Sequence, residues 1–437
     1  MTEIKNRLHY TPVIMQDYPF VFRLRQKCND PVVGNVSDEV EAKLSSLSLG
    51  NNIKPGETVA IAAGSRGISN IHLVIKAVVD HVHRLGGEPF IIPAMGSHGG
   101  GTAEGQQKIL ESYGITEAFC GCPIRASMET VVVGRAAEGF DIHFDKLAHA
   151  ADHVLVCNRI KTHTQFFGEI ESGLLKMLLI GLGKHAGAKI YHRAIQDYNF
   201  SQILRSVTSE VLTKCRVLAG VAILENRHGK TAKIEAVAAE DLSRREPALL
   251  KQAIEWSPRL PFRNAHILLI DQMGKNFSGT GFDLSVTGRK HLAHVAAKDE
   301  YPKIRMIAIR DLTSESHGNA EGLGLAEFCR ARVLEKRIEE TTRINALTSG
   351  HIFGSMTPLD YETDHEMLNA MLPVIGLTEP SDAKLLWIRN TLELVEIECS
   401  ATYLEEARGR ADLEILTELR PLPFGESGNL PDSHMSQ

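Results

Sequence analysis

A short apolar run that empties into a glycine-rich loop, with a helical period behind it, recurs along this chain and restricts its fold more than any other feature. Thr58–Ala63 (TVAIAA) ends in Gly64-Ser65-Arg66-Gly67. Ile71, Ile75, Val78, Val79 and Val82 then fall at helical spacing, and Gly86-Gly87 stops the helix they predict over 71–85. Glu88–Pro93 (EPFIIP) reads as a second buried strand. Strand, helix and strand in this order predict an α/β fold with a mainly parallel sheet. EPFIIP runs into Ala94-Met95-Gly96-Ser97-His98-Gly99-Gly100-Gly101, and Thr102 is placed to cap the next helix. Ligands of open parallel sheets bind beyond the carboxyl ends of the strands, where both glycine loops lie. Backbone N–H groups in such loops can also cradle a phosphate, which makes Ser65, Gly99 and Gly100 candidate cofactor contacts.

The pattern continues with strands at 130–133, 153–157 and 217–224, and with helices at 198–214 and 248–256. Two prolines flank a charge in Ser257-Pro258-Arg259-Leu260-Pro261, and the strand pattern restarts at 265–271 (AHILLID). The chain has 437 residues, so two domains are the natural division. We expect two α/β domains with an active-site cleft between them: residues 1–260 to hold a cofactor, and 262–410 to close over the substrate. Residues 411–437 form a tail that can return to the first domain. The second domain is expected to carry a strand at 305–309, helices at 321–336 and 339–346, and strand, helix, strand from 385.

A net charge of -6 without any Lys/Arg block argues against a nucleic-acid partner. No apolar run is long enough to span a bilayer, and MTEIKNRLHYTPV lacks the apolar core of a signal peptide. Seven scattered cysteines, an odd number, fit a reducing compartment, so a cytoplasmic location is expected. Cys120-Gly121-Cys122 has no second pair at zinc-site spacing and reads as incidental.

The stretch from Asn158 to His192 carries most of the chemistry: NRIKTHTQFFGEIESGLLKMLLIGLGKHAGAKIYH. It follows the strand at 153–157 and holds His163, Lys176, His185 and His192. Imidazoles bind metals or carry protons, and a lysine carries charge or a covalent bond. His98 and His163 stand out from the other histidines because each follows a buried strand into a loop. Two bases arriving on separate loops suit an enzyme that inverts a stereocentre through a planar intermediate. Lys176 sits between Leu174-Leu175 and Met177-Leu178; partial desolvation favours its neutral amine, although a helix lysine reaching back to water has the same pattern.

Three separated segments resemble the nickel-dependent lactate racemase family, which includes other 2-hydroxy-acid racemases and epimerases. GSHGGGTAEGQ resembles its Gly-x-His loop. THTQFFGEIESGLLKM and the following YH resemble its His, Lys, His segment, including the step from Lys176 to His192. Gln272 and Lys275 repeat its Gln-x-x-Lys pair. The resemblance implies a nickel-pincer pyridinium nucleotide attached to Lys176, with His192 as the protein ligand of nickel. It implies His98 and His163 as the acid/base pair, and Arg66, Gln272 and Lys275 as contacts of the substrate. The reaction would be racemisation or epimerisation of a 2-hydroxy acid by proton-coupled hydride transfer through a 2-keto acid. Enzymes that build the cofactor would be transient partners. His185 is held in reserve, as a phosphate contact or an alternative nickel ligand.

The departures from the family pattern fall around the substrate. Ala63-Gly64-Ser65-Arg66 stands where the lactate enzymes carry an Asp-x-Thr-Arg loop, and Asp271 stands where they carry an aromatic residue. Asp271 either faces the cleft, where it would favour a polyhydroxy acid, or turns away and ends the strand. The competing readings are a nicotinamide-dependent dehydrogenase and a non-catalytic nucleotide- or ligand-binding protein. The first lacks a Gly-x-Gly-x-x-Gly turn after a strand, and the second has no need of two bases. Zinc hydrolysis is disfavoured because the histidines lack compact ligand spacing.

Overall fold

The computed structural model describes residues 17–432 except 29, 66, 164–166 and 292. In chain order the strands are β1 (Val21–Gln26), β2 (Thr58–Ala63), β3 (Glu88–Pro93), β4 (Thr130–Arg135), β5 (Asp141–Asp145), β6 (His153–Arg159), β7 (Val217–Glu225) and β8 (Thr231–Ala238). They continue with β9 (Asn264–Ile270), β10 (Lys303–Ile309), β11 (Phe328–Arg330), β12 (Leu359–Tyr361), β13 (Leu385–Ile388), β14 (Glu396–Ser400) and β15 (Leu413–Ile415). One sheet has the order β3-β2-β6-β7-β8, and a larger one β12-β11-β10-β9-β13-β14-β1-β15. β4 and β5 form a separate hairpin. In the first sheet β3, β2, β6 and β7 are parallel neighbours, and only β8 is antiparallel. The α/β class with mainly parallel sheets is therefore the observed one.

Burial on both faces explains the unbroken apolar runs of the first sheet. Val59, Ile61 and Ala63 of β2 enter one core, while Ala60 and Ala62 enter the other. The helix Ile71–Arg84 covers the first face with Ile71, Val74, Ile75 and Val78. Leu174, Leu178 and Leu179 belong to the second.

Four expectations are corrected. β1 does not belong with the first sheet, as a 1–260 domain requires; it pairs antiparallel with β14 and β15 of the second. Its Phe22 and Leu24 are completely buried in the second domain's core, and its two edges are satisfied by those neighbours. The first unit thus runs from the helix Val36–Ser45 to the helix Leu242–Trp256. The tail returns to the second domain: Val21 and Arg420 exchange backbone hydrogen bonds of 2.8 and 2.9 Å, and Leu430 O accepts from Arg310 at 2.9 Å. The expected helix at 321–336 is broken into a 3-10 turn (Leu323–Leu325), β11 and a short helix (Ala331–Lys336). Gly322 and Gly324 explain the break, because a Cβ on them would lie 1.8 Å from Thr280 O and 2.0 Å from Phe353 O. From 385 onward β13 and β14 pair as direct antiparallel neighbours, and the helix Leu404–Arg408 follows the second of them.

Asp271, just past β9, turns away from the cleft. It is fully buried, accepts from Trp387 Nε1 at 2.6 Å and pairs with the buried Arg310. Arg310 also reaches Asp364 at 2.8 Å. The basis for favouring a polyhydroxy acid is therefore gone. Asp271→Ala leaves a buried guanidinium with one carboxylate instead of two, and should destabilise the protein by about 3 kcal/mol. Urea unfolding measures this; a midpoint shift no larger than that of an exposed substitution would contradict the assignment.

Candidate active site

β3, β2 and β6 lie side by side and parallel, and Ala63 is in register with Pro93 on one side and Cys157 on the other. Their carboxyl ends are therefore level. Ser65 follows β2, His98 follows β3 and His163 follows β6. A cavity of about 180 Å³ opens there, lined by Ser65, His98, Asn158, His163 and Lys176, with Gly279 entering from the second domain.

Each loop is held by identifiable contacts. Ser65 Oγ lies 2.6 Å from His98 Nδ1. Gly99, Gly100 and Gly101 have φ of 64, 68 and 68°, a left-handed run that side chains resist. Gly99 also rests on Gly105, where a Cβ would lie 1.9 Å from Gly99 O. Thr102 caps the helix Ala103–Ser112 by accepting from Gly105 N at 3.1 Å. The buried Gln106 amide donates to Gly96 O at 2.9 Å and to His98 O at 3.3 Å, bracing the loop from behind.

The His163 loop is held by an interdomain contact. Its backbone N–H donates to Glu171 Oε2 at 2.8 Å, and Lys290 Nζ of the second domain donates to the same oxygen at 2.6 Å. Burial pushes the Glu171 carboxyl up despite Lys290. Lys161 N–H bonds Ser172 O at 2.9 Å, and Asn158 Nδ2 bonds Gly173 O at 2.9 Å, so the two sides of this excursion are tied together.

Lys176 ends a short helix, Leu174–Lys176, that passes into a π-helical turn, Met177–Gly181. Turns of this kind concentrate at functional sites. Glu246 holds the start of the helix by accepting from Leu175 N at 3.0 Å. Gly173 is required there, because a Cβ would lie 2.0 Å from Glu246 Oε1. That oxygen has no hydrogen-bond partner, and burial pushes the Glu246 carboxyl up to about 7.

The helix Lys184–Ala194 carries His185 and His192. Its first residue, Lys184, is completely buried, with Nζ 2.9 Å from Asp145 Oδ2 and donating to Pro93 O at the end of β3. His192 does not line the small cavity, but its pKa is lowered by burial and then by the charge of Lys176. It is therefore a neutral imidazole, the form that ligates a metal. His185 Nδ1 is buried without a partner, and a Cβ on Gly101 would lie 3.4 Å from it.

The second-domain residues lie apart from the small cavity. Neither Gln272 nor Lys275 lines the small cavity. Gln272 donates its backbone N–H to Arg389 O at 2.9 Å. Lys275 borders a larger interdomain cleft of about 1160 Å³. Its Nζ donates to Gly279 O at 2.6 Å, Glu321 O at 2.8 Å and Glu321 Oε2 at 2.9 Å. Burial pushes Glu321 up, but its bonds to His351 and Lys275 prevail and hold its carboxyl below the usual range. Arg66 lies outside the described residues. Cys120 and Cys122 are buried thiols pushed up to about 11 and about 12 by burial, which agrees with an incidental pair.

Sequence reasoning missed Asn158, Lys161, Glu171 and Glu246. Only Glu246 had a readable signal, as an acid on the same helical face as Leu242, Leu249 and Leu250. The others depend on which segments meet in space.

Residues 24–202 match the lactate racemase N-terminal domain family. Among solved structures, the lactate racemase apoprotein of Thermoanaerobacterium thermosaccharolyticum is similar at a TM-score of 0.57 and 14% identity, over 85% of this chain and 94% of that one. A Thermotoga maritima protein from structural genomics is similar at a TM-score of 0.50 and 13% identity, over 84% of this chain and 98% of that one. At these identities the two structures show a shared fold. Comparison with curated proteins gives no match.

The pKa of Glu246 has a consequence for stability. Its folded-state value, about 7, lies above the ordinary 4.5. Its contribution is thus full below pH 4.5 and is lost as pH rises through about 7. The loss is about 3 kcal/mol. Glu246→Gln should flatten the decline of the urea midpoint across that window. A decline as steep as that of the wild type would assign it to another group.

Proposed function

We propose, on the premise that residues 24–202 belong to the lactate racemase N-terminal domain family, that this protein racemises or epimerises a 2-hydroxy acid. The observation that carries the reading is the cavity at the ends of three adjacent parallel strands. It joins two histidines from separate loops to a lysine on a π-helical turn. Among the described residues its lining includes Arg159, Lys161 and Lys176 but no carboxylate, which favours an anionic substrate.

The side chains fit the cofactor that the family resemblance implies. A neutral imidazole, His192, stands in electrostatic reach of Lys176. The partnerless His185 Nδ1 lies beside the left-handed Gly99–Gly101 turn, where backbone amides suit a phosphate. Lys176 would hold the nickel-pincer nucleotide and His192 would ligate its nickel; imidazole with sulfur donors suits that metal. When bound, this group supplies a reversible hydride acceptor.

The chain's own residues handle the proton. With Nδ1 held by Ser65, His98 works through Nε2, and the serine fixes its ring. In one direction His98 takes the proton of the substrate hydroxyl and His163 gives a proton to the carbonyl oxygen of the turned-over 2-keto acid; in the other direction the two exchange these roles. The backbone bond from His163 to Glu171, and through it to Lys290, links the position of this loop to the second domain.

Protein made alongside cofactor-building enzymes tests the reading by intact mass, metal analysis and chiral chromatography. An adduct with nickel, lost in Lys176→Ala, is expected; an adduct that persists in that variant would remove Lys176 from its role. His192→Ala should keep the adduct and weaken nickel retention. His98→Ala and His163→Ala should each lose about 10²- to 10⁴-fold in racemisation while keeping metal. The double variant should be little worse than either, because the two act as a unit; multiplicative losses would point to another acid/base pair.

A further inference from the structure

We infer that a basic pocket at the amino ends of β9, β10 and β13 binds the dianionic phosphate of a phosphomonoester. The inference stands apart from the racemase reading. β10, β9 and β13 are parallel neighbours, and their register sets Ile304 beside Ala265, Met306 beside Ile267, and Leu385 beside Ile267. Arg305, His266 and Lys384 therefore lie side by side at one level of three adjacent segments. Lys303 stands two residues before Arg305, on the same side of β10. Like charges on neighbouring strands cost stability. Here no carboxylate offsets the cost: among the described residues Lys303, Arg305 and Lys384 form no ion pair.

These four residues line a cavity of about 960 Å³. It shares no lining residue with the acid/base cavity or the interdomain cleft, which open at the other ends of the strands. Lys303 Nζ donates to Lys298 O at 3.1 Å and Arg305 Nη1 to Ile375 O, so both heads keep further N–H groups. His266 Nδ1 accepts from Lys384 N at 3.0 Å, which puts the ring proton on Nε2 as a donor. Burial, then the charges of Arg305 and Lys384, hold this imidazole below its ordinary pKa. His294 also lines the cavity but already meets Glu327 at 2.8 Å. Among the described lining residues the single carboxylate is Asp382. Three cations against one carboxylate leave an excess that a phosphate dianion neutralises and a carboxylate ligand does not. Ala265, Val295 and Ile304 supply apolar surface beside the charges for the organic part of the ester.

The test is calorimetric titration of the full chain at low salt with phenyl phosphate, at a pH where it is a dianion, and with benzoate as a monoanion of similar shape. The proteins are the wild type, Arg305→Gln and Lys384→Gln, with Lys161→Ala and His185→Ala as controls at the acid/base cavity. Each is checked by circular dichroism, and Lys303→Gln is read in place of either glutamine variant that fails to fold. Each glutamine variant should raise Kd for phenyl phosphate by about tenfold, the low end for a charge-assisted hydrogen bond. The two controls should bind it like the wild type. Benzoate should bind the wild type about tenfold more weakly than phenyl phosphate. The inference is overturned if phenyl phosphate does not bind the wild type or if benzoate binds as tightly. It is equally overturned if affinity is lost in the controls and kept in the glutamine variants. None of these outcomes bears on the racemase reading.

Discussion

The parallel register of β3, β2 and β6 is the constraint on which the rest of the site depends. Because Pro93, Ala63 and Cys157 sit at one level, three loops far apart in sequence begin from one edge. Parallel pairing obliges the chain to leave the sheet and return between strands, and each departure carries a functional side chain away from a fixed point. An antiparallel arrangement would have sent alternate loops to opposite ends. The burial of β2 on both faces then makes the register hard to shift, since a slip of one residue exchanges the contents of the two cores.

Around that edge the protein places charge where charge is costly. Lys184 with Asp145, Glu171 with Lys290 and Glu246 over the Leu174–Lys176 helix are all withdrawn from water. Each touches a segment that carries a candidate catalytic or cofactor residue. Apolar replacements would fill such positions with less desolvation, so stability alone does not account for them. Their common effect is to fix backbone: Lys184 the end of β3, Glu171 the His163 amide, Glu246 the first turn before Lys176. Directional bonds set loop positions that dispersion forces would leave loose.

What the sequence made legible follows from how local each signal is. The strands TVAIAA and EPFIIP were readable because fully buried strands are uniformly apolar, and Thr102 because a cap acts within one turn. His98, His163 and Lys176 were found from loop position and family pattern, and they do share one cavity. β1 was misassigned because its partners, β14 and β15, lie nearly four hundred residues away. The helix expected at 321–336 failed because the demand for Gly322 and Gly324 comes from Thr280 and Phe353, which no local window contains. Asp271 was left open between facing the cleft and ending the strand, because Arg310, which holds it, is invisible at short range; so is Glu321, which pairs with Lys275.

The placement of β1 in the second sheet makes the first domain a graft. The chain begins its described strands in the larger sheet, leaves it after Gln26, builds the whole histidine- and lysine-bearing unit, and returns at Asn264. The outgoing and returning connections meet, since Gln26 Nε2 donates to Arg259 O at 2.9 Å. The two tethers are thus joined at one spot. The buried Glu171–Lys290 pair joins the halves a second time, at the His163 loop. The excursion departs after β1 and rejoins at β9, so it interrupts no strand of the larger sheet.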